Sequence, residues 1–462
     1  MANSIQVGDL HSKSSALVRI RMLLGLDRAV LFTVLARGWS SVAGLLTLLL
    51  VARFLSPDEQ GYYYTFGSLA ALQIVFELGF SFVIQQMASH ERALLDISPD
   101  GLITGVEKAH ARLASVLQKT VRWYTVAAVM LFLGLLSAGM YFFSTHSHPS
   151  YPVSWHLPWV LVSFAASLTF QIDPIFAFLE GCGYVPEVAR TRFWQAFTGT
   201  FLAWASLVTH HGLFAPAMVI LGQAVTGSAC LWVHRYLLLG LWKHPAGIHR
   251  IEWFTEVWPF QWRIAVSWIS GYFIFQLFNP VLFAYWGPVA AGQMGMSLSI
   301  GTAIMGIGIA WISTKSAPFG ALVARKQYAE LDRLFFRALR QSFIVCVSGC
   351  LAVFAVTIYL YADGLPFARR LLNPWQFSLL LLAIAVNHIV FAEAIYLRAH
   401  KQEKFLMVSV ITAFLVALST YCLGRAYGAT GMMLGYLVVN TFVGLGLGTW
   451  TFRKYRRVWH AE

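Results

Sequence analysis

Charged side chains are scarce in this chain. Only 11% of its 462 residues are Asp, Glu, Lys or Arg, whereas 58% are hydrophobic. A soluble domain carries about a quarter charged residues, so a globule of this composition could not cover its surface with charge in water. The same balance excludes a disordered chain, a collagen and a coiled coil. The sequence therefore predicts a polytopic membrane protein.

Motifs for metal binding and catalysis are also missing. The five cysteines form no CxxC pair and none falls in a predicted outer loop, so neither a disulfide framework nor a zinc site is predicted. HExxH, GxSxG and the phosphate-binding loop of ATPases are absent. We therefore expect no enzyme activity, no metal and no cofactor.

Long apolar runs dominate what is present. A membrane-spanning helix needs roughly 20 mostly apolar residues, because its backbone must satisfy its own hydrogen bonds in lipid. The runs are apolar on every side, which disfavours a transmembrane β-barrel. We predict an all-α protein with twelve spans: 29–52, 62–88, 121–143, 157–180, 193–209, 215–238, 262–285, 292–314, 341–362, 375–397, 405–424 and 430–452.

Basic residues give the orientation of these spans. With the amino terminus in the cytoplasm, 28 of the 33 Lys and Arg residues lie in inner loops, tails or inner span ends. The positive-inside rule therefore predicts that both termini are cytoplasmic. The net charge of +13 is then explained by the anionic inner leaflet, and no nucleic-acid partner is expected. Residues 1–28 contain no cleavable apolar core and are predicted to be a cytoplasmic tail.

The chain divides into two similar halves. We predict an N-lobe over 29–238, a linker over 239–261, a C-lobe over 262–452 and a basic cytoplasmic tail over 453–462. Each half has one long amphipathic inner loop, which predicts interfacial helices over about 100–119 and 319–339. The turns LSPDEQG (55–61) and WGPVAAG (286–292) also match. These features predict a duplication, with two pseudo-symmetric six-helix lobes around a central cavity.

Residues 51–79, VARFLSPDEQGYYYTFGSLAALQIVFELG, resemble the opening signature of the polysaccharide flippase family. This family is part of the multidrug/oligosaccharidyl-lipid/polysaccharide exporter superfamily. The resemblance implies two lobes that form a V. It also implies alternating access that moves a polyprenyl-pyrophosphate-linked oligosaccharide from the cytoplasmic to the periplasmic leaflet of the bacterial inner membrane.

The same resemblance implies a monomer that works with other polysaccharide-assembly proteins, as in O-antigen and lipopolysaccharide biosynthesis. One alternative is a cation-coupled multidrug exporter of the same superfamily. A remote alternative is a membrane O-acyltransferase or glycan polymerase that uses His388. Coupling to H⁺ or to Na⁺ is left open.

Ionisable residues inside spans are costly and therefore mark cavities or pairs. Arg37 lies about 12 Å from the inner end of the first span by helical rise. It either pairs with Glu77 or faces a substrate phosphate, which its planar fork would suit. Asp173 precedes Pro174 and either couples transport to a cation, together with Glu77, or caps a broken helix.

Uncharged amides and aromatic rings within spans suit a sugar, and each is also a candidate for bonds between helices. Trp39, Trp268, Tyr272 and Trp311 are candidate stacking surfaces. With Arg37, Glu77 and Asp173, the predicted cavity set contains eight further residues: Gln171, Gln223, Gln276, Asn279, Asn387, His388, Glu393 and Asn440.

Overall fold

A computed structural model describes residues 28–98, 103–146, 152–245, 250–253, 256, 258–400, 402 and 404–461. Within these residues the chain is almost entirely helical, as predicted. The N-terminal helices are α1 (Arg28–Phe54), α2 (Pro57–Ala70), α3 (Gln73–Glu77), α4 (Phe80–Arg92), α5 (Glu107–His146), α6 (His156–Gly181), α7 (Val185–Val208), α8 (Ala215–Val233) and α9 (Arg235–Lys243). The C-terminal helices are α10 (Trp258–Phe275), α11 (Phe278–Ser313), α12 (Ser316–Ala324), α13 (Tyr328–Ala362), α14 (Pro374–Ala399), α15 (Leu406–Val439) and α16 (Gly446–Ala461).

Helix α2 begins at the turn that the sequence singled out. Ser56 caps it, because the backbone N–H of Glu59 donates to Ser56 Oγ and the backbone N–H of Ser56 donates to Glu59 Oε2 at 2.8 Å. This capping box satisfies two backbone donors that the first turn would leave free. Pro57 follows in the first turn, where it costs no helical hydrogen bond.

Residues with positive φ break the helices at three places, one within a span and two between predicted spans. Leu78 and Gly79 separate α3 from α4, and the helix axis bends by 44° there. Gly287, with φ 84°, interrupts α11, and Gly428, with φ 60°, interrupts α15. Glycine tolerates this left-handed region without a steric penalty.

The predicted number of spans agrees with the helices of the described residues. Eight stretches are long and apolar enough to cross a membrane, and the bent pair 57–92 adds a ninth. Two of the eight, Ile264–Ala324 and Leu406–His460, contain the breaks at Gly287 and Gly428, so each comprises two spans. Together with α7, which occupies the position of the fifth span, they make the twelve that were predicted. The fold class is confirmed as a multi-pass helical membrane protein.

The predicted interfacial helices are wrong. Where one was expected over about 100–119, a short antiparallel hairpin pairs Leu95–Ile97 with Ile103–Gly105, and α5 then runs without a break from Glu107. At 40 residues α5 is about 60 Å long, roughly twice the hydrocarbon thickness, so its first turns project beyond it. The apolar stripe of these turns is buried against the protein, with Leu113 and Leu117 in the core beside Leu241 and Ile251.

The second expected interfacial helix, over about 319–339, is likewise not a separate element. The short helix α12 ends at Ala324, and α13 then runs from Tyr328 through the predicted ninth span. Its apolar residues Leu331 and Phe335 are buried with Phe319 in a cluster at the inner end of the C-lobe. Residues 453–461 of the predicted tail are part of α16, and Arg456 there donates to Asp332 Oδ2 at 2.5 Å.

The lobes meet where α2 packs along α11, near the predicted outer loops. A Cβ atom on Gly61 would lie 2.0 Å from the carbonyl oxygen of Pro288, and one on Gly292 would lie 2.9 Å from the backbone nitrogen of Gly61. Arg370 strengthens the contact by donating through Nη2 to the carbonyl oxygen of Leu55 at 2.6 Å. Burial lowers the pKa of this guanidinium. The two turns that repeat in the sequence thus pack on each other.

Candidate substrate site

A cavity of about 330 Å³ lies inside the membrane-spanning region, between α2 of the N-lobe and four helices of the C-lobe. Because both lobes contribute walls, it lies at the contact that alternating access would have to change. Its lining residues are Tyr64, Gly67, Ser68, Phe275, Gln276, Asn279, Gly295, Leu298, Ser299, Thr302, Met305, Leu380, Ile384, Asn387 and Tyr436.

Amide and hydroxyl groups supply the polar part of this wall. Asn387 Nδ2 donates to the Tyr436 hydroxyl at 2.7 Å, and Asn279 Nδ2 donates across the lobe contact to Ser68 Oγ at 3.0 Å. The Asn279 Oδ1 atom is buried and has no hydrogen-bond partner among the described residues. A buried acceptor without a partner costs free energy, so a ligand hydroxyl that reached it would be favoured.

Aromatic rings line the same cavity, but they are not the predicted ones. Tyr64, Phe275 and Tyr436 border it. Trp39, which was expected to offer a stacking face, packs instead on Phe197 with ring centroids 4.8 Å apart. The positions of the tryptophans along the chain do not indicate on which side of a span each ring lies.

Three of the predicted residues line the cavity, namely Gln276, Asn279 and Asn387. Asn440 lies behind the wall, since it is buried and its Nδ2 donates to the Tyr436 carbonyl oxygen at 2.8 Å. Gln223 is in the N-lobe, where its backbone carbonyl accepts a hydrogen bond from Gln195 at 3.0 Å. The structure therefore brings together only part of the predicted amide set.

Two further predicted residues are packed between C-lobe helices and are not among the lining residues of the cavity. His388 is fully buried, and its Nε2 lies 2.5 Å from Ser342 Oγ, which itself donates to the Gly308 carbonyl oxygen. Glu393 is buried and accepts a hydrogen bond from Thr449 at 2.9 Å. These contacts join α14 to α13, α11 and α16.

The predicted carboxylates of the N-lobe form a second polar group. Glu77 and Asp173 interact electrostatically with each other and with Arg192, which also lies 3.5 Å from Glu180. Gln171 donates to Thr125 Oγ1 at 3.0 Å nearby. Helix α6 is continuous through Pro174, so Asp173 does not cap a broken helix as one interpretation of the sequence had it.

Arg37 does not pair with Glu77. It is exposed and forms no ion pair within the described part of the chain. Helical spacing places Arg37 on one face of α1 with Gly44, Leu48 and Val51. Val51 is fully buried in an apolar cluster that includes Met296 of the C-lobe, whereas a Cβ on Gly44 would meet nothing within 4 Å. Arg37 therefore lies on the exposed inner part of this face, whereas its outer end is buried.

Sequence reasoning missed the N-lobe contribution to the cavity. Tyr64 and Ser68 lie one helical turn apart on α2 and both line it. The run of three tyrosines at 62–64, directly after a predicted turn, was a usable signal, because adjacent tyrosines in a span must face different environments. Tyr62 is fully buried among Phe66, Phe143 and Phe283, whereas Tyr64 reaches the cavity.

Comparison with solved structures identifies the architecture. One similar structure is that of an inward-facing multidrug resistance MATE family transporter of the MOP superfamily. The alignment covers 95% of this chain and 98% of that transporter, with 13% sequence identity and a TM-score of 0.62. A second similar structure is that of the lipid II flippase MurJ in an inward closed conformation. The alignment covers 92% of this chain and 87% of MurJ, with 14% sequence identity and a TM-score of 0.55. The chain has the MOP superfamily fold.

A third similar structure is that of a MOP superfamily transporter from Pyrococcus furiosus. The alignment covers 94% of this chain and 95% of that transporter, with 13% sequence identity and a TM-score of 0.54. No protein-family model matches the sequence, and no curated protein does. The cavity between α2 and the C-lobe and the acidic group of the N-lobe are the two candidate functional sites within this fold.

Proposed function

We propose that this protein is a flippase that moves a polyprenyl-pyrophosphate-linked oligosaccharide from the cytoplasmic to the periplasmic leaflet of a bacterial inner membrane by alternating access. Its glycan would go into cell-surface polysaccharide such as O-antigen. The observation that carries the proposal is the cavity, whose wall combines amides, hydroxyls and aromatic rings without a charged side chain. Sugars present hydroxyls at their edges and apolar C–H groups on their faces, and both find partners there.

The size of the cavity indicates where each part of the substrate would lie. The cavity volume lies at the lower end of the range for small-molecule pockets, about 300–1,000 Å³, so it would hold only part of a glycan. The remainder would occupy the space between the lobes. The polyprenyl tail would stay in lipid, because removing so much apolar surface from hydrocarbon would gain nothing.

Arg37 supports the assignment of the head group. Its side chain is exposed on α1 and forms no ion pair with an acidic residue in the described part of the chain. An arginine within hydrocarbon is costly unless it meets water or an anion. A pyrophosphate offers two parallel acceptor pairs for the arginine fork, which makes it a suitable anion.

A second candidate function is cation-coupled export of small molecules. The observation in its favour is that the carboxylates of Glu77 and Asp173 interact electrostatically with each other in the N-lobe. Two close carboxylates share a proton or hold a cation readily, because they repel each other when both are ionised. The same group would serve a flippase that uses H⁺ or Na⁺, so it does not by itself separate the two functions.

The third class, an acyltransferase or polymerase, draws no support from the cavity. His388, the residue it would use, is bonded to Ser342 and is not among the lining residues. We further propose a monomer with both termini in the cytoplasm and with other polysaccharide-assembly proteins as partners. The short predicted outer loops leave substrate recognition to the membrane-spanning helices.

The decisive experiment is transport by the purified protein in proteoliposomes. A polyprenyl-pyrophosphate oligosaccharide with a fluorescent glycan would be followed as it becomes accessible to an external quencher, beside uptake of a cationic dye. We expect quenching of the lipid and no dye uptake. Gln276→Ala should slow the flipping, whereas the matched control Gln223→Ala, an amide outside the cavity, should not. Dye uptake without flipping would favour the exporter.

A further inference from the structure

Three potential metal ligands meet at the inner end of the N-lobe, outside the membrane-spanning region and away from the cavity. Glu107, His110 and His244 each offer a ligand atom, and these atoms lie within 4.8 Å of one another. His244 Nε2 is 3.3 Å from Glu107 Oε1. The rings of His110 and His244 are in contact, with centroids 3.8 Å apart and planes tilted by 32°.

The fold brings these residues together from two separate elements. Glu107 and His110 are three residues apart in the first turn of α5, so they share one face of that helix. His244 follows α9 in the segment that connects the lobes. The sequence predicted no metal site, because two ligands spaced i, i+3 are a weak signal until the fold supplies the third.

The linker is already held against α5, which fixes the position of His244. The side-chain amide of Gln118 donates to three carbonyl oxygens, those of Leu241, Trp242 and His244, the last at 2.8 Å. Farther along, Arg112 Nη2 donates to Glu256 Oε2 at 2.5 Å. A backbone anchored in this way would present the imidazole with little loss of conformational freedom.

The chemistry of the three groups matches a zinc site. Zinc takes imidazole nitrogen at about 2.0–2.1 Å and carboxylate oxygen at about 2.0–2.2 Å, usually in a tetrahedron. The edges of such a tetrahedron are about 3.4 Å long, close to the 3.3 Å between His244 Nε2 and Glu107 Oε1. In addition, His244 Nδ1 is buried and has no hydrogen-bond partner among the described residues.

We propose that Glu107, His110 and His244 form a binding site for Zn²⁺, with water as the fourth ligand. The ion joins the first turn of α5 to the beginning of the inter-lobe linker. It adds two nitrogen–metal bonds to the contact between the two imidazoles. Binding therefore fastens the linker to the N-lobe at the point where the connection between the lobes begins. The proposal is independent of which substrate the protein carries.

The test is zinc titration of the full-length protein. The protein would be purified in detergent with a tag that contains no histidine, treated with a chelator and titrated with ZnCl₂ by calorimetry. We expect one Zn²⁺ per chain for the wild type and an affinity at least about tenfold lower for His110→Asn and for His244→Asn. Zinc-edge X-ray absorption of the wild type should show two imidazole ligands, and one fewer in His244→Asn.

His90→Asn is the matched control, because His90 is an exposed histidine at the end of α4 on the same side of the protein. It should bind zinc like the wild type. Gel filtration and thermal unfolding without metal would show whether each variant folds, so a variant that unfolds is replaced by Glu107→Gln. Absence of stoichiometric binding by the wild type, or equal affinities of all folded variants, would overturn the proposal.

Discussion

Gln60 Nε2 donates to the carbonyl oxygen of Gly292 at 2.8 Å and thereby connects the two turns that resemble each other in the sequence. The same nitrogen also donates to the Arg370 carbonyl oxygen at 3.1 Å. Because Gln60 and Gly292 belong to opposite lobes, this bond lies at the contact between them. Alternating access would have to break it when the outer end opens. Under the proposed function, the duplicated turns would be the outer seal of the transporter as well as the starts of spans.

Gly61→Val should weaken this seal. Its Cβ would overlap the Pro288 carbonyl oxygen, which belongs to the backbone and cannot move aside easily. Overpacking of this kind costs about 1–3 kcal/mol and occasionally more, so the melting temperature in detergent should fall by several degrees. The control is Gly44→Ala, where a Cβ meets open space. Equal melting temperatures for both variants and the wild type would contradict the proposed seal.

The spans were predictable because unpaired backbone groups are costly in lipid. Each span must therefore be a helix of mostly apolar residues, and such long apolar runs are easily recognised in the sequence. The breaks at Gly287 and Gly428 fall between predicted spans, whereas the break at Leu78 and Gly79 lies inside the predicted span 62–88, because a continuous apolar run conceals residues with positive φ. The interfacial helices were wrong for a definite reason. An amphipathic stripe shows that one face is buried, but not whether lipid or protein covers it, and Leu113 is covered by protein.

The candidate site was predictable only in part. Polarity within a span marked Gln276, Asn279 and Asn387, which line the cavity. It marked His388 equally well, and that side chain is bonded to Ser342 in the helix packing. The position of a residue along a span does not show in which direction its side chain points around the helix axis. For that reason the sequence left open whether Arg37 pairs with Glu77, and in the structure these two side chains do not pair.

Arg37→Ala should abolish most flipping while the protein remains folded in the membrane. A hydrogen bond to a charged group contributes about 1.5–3 kcal/mol, so the rate in proteoliposomes should fall at least about tenfold. Arg37→Lys, which keeps the charge without the fork, should retain an intermediate rate. Arg53→Ala, an exposed arginine at the other end of α1, is the control. Normal flipping by Arg37→Ala would refute the phosphate contact.

The double variant Glu77→Gln, Asp173→Asn should remove the dependence of transport on a cation gradient. Without either carboxylate, the N-lobe group has no site for a coupling proton or Na⁺. Transport under an imposed pH or Na⁺ gradient should then equal transport without one. Glu187→Gln, at the start of α7 in the same lobe, should still respond to the gradient. A response that survives in the double variant would place coupling elsewhere.

His388→Asn should lower stability without a specific effect on transport. The change removes one of the two hydrogen bonds of the buried Ser342 hydroxyl, which keeps its bond to the Gly308 carbonyl oxygen, and loss of such a bond costs about 0.5–1.5 kcal/mol. Flipping per folded molecule should stay within about twofold of the wild type. Gel filtration gives the folded fraction for that comparison. If purified protein instead transferred acyl or glycosyl groups and lost this activity in the variant, the transporter proposal would be wrong.

The linker should loosen from α5 as the pH falls. Arg112, which Glu91 also contacts at 2.7 Å, holds the pKa of Glu256 below its usual range through a direct hydrogen bond. A carboxyl with a lowered pKa stabilises the folded contact above its unfolded pKa and loses that contribution as the pH falls through the folded value. Hydrogen exchange at residues 250–253, corrected for intrinsic rates, should therefore accelerate below about pH 4.5.

Glu256→Gln should produce this faster exchange already at pH 7. A partly exposed ion pair contributes up to about 1 kcal/mol, which sets an upper limit of about fivefold on the change. Asp96→Asn, which removes an exposed carboxylate from the neighbouring hairpin, is the matched control and should leave exchange unchanged. If acid accelerated exchange in Glu256→Gln as much as in the wild type, the pH response would have to come from a group other than Glu256.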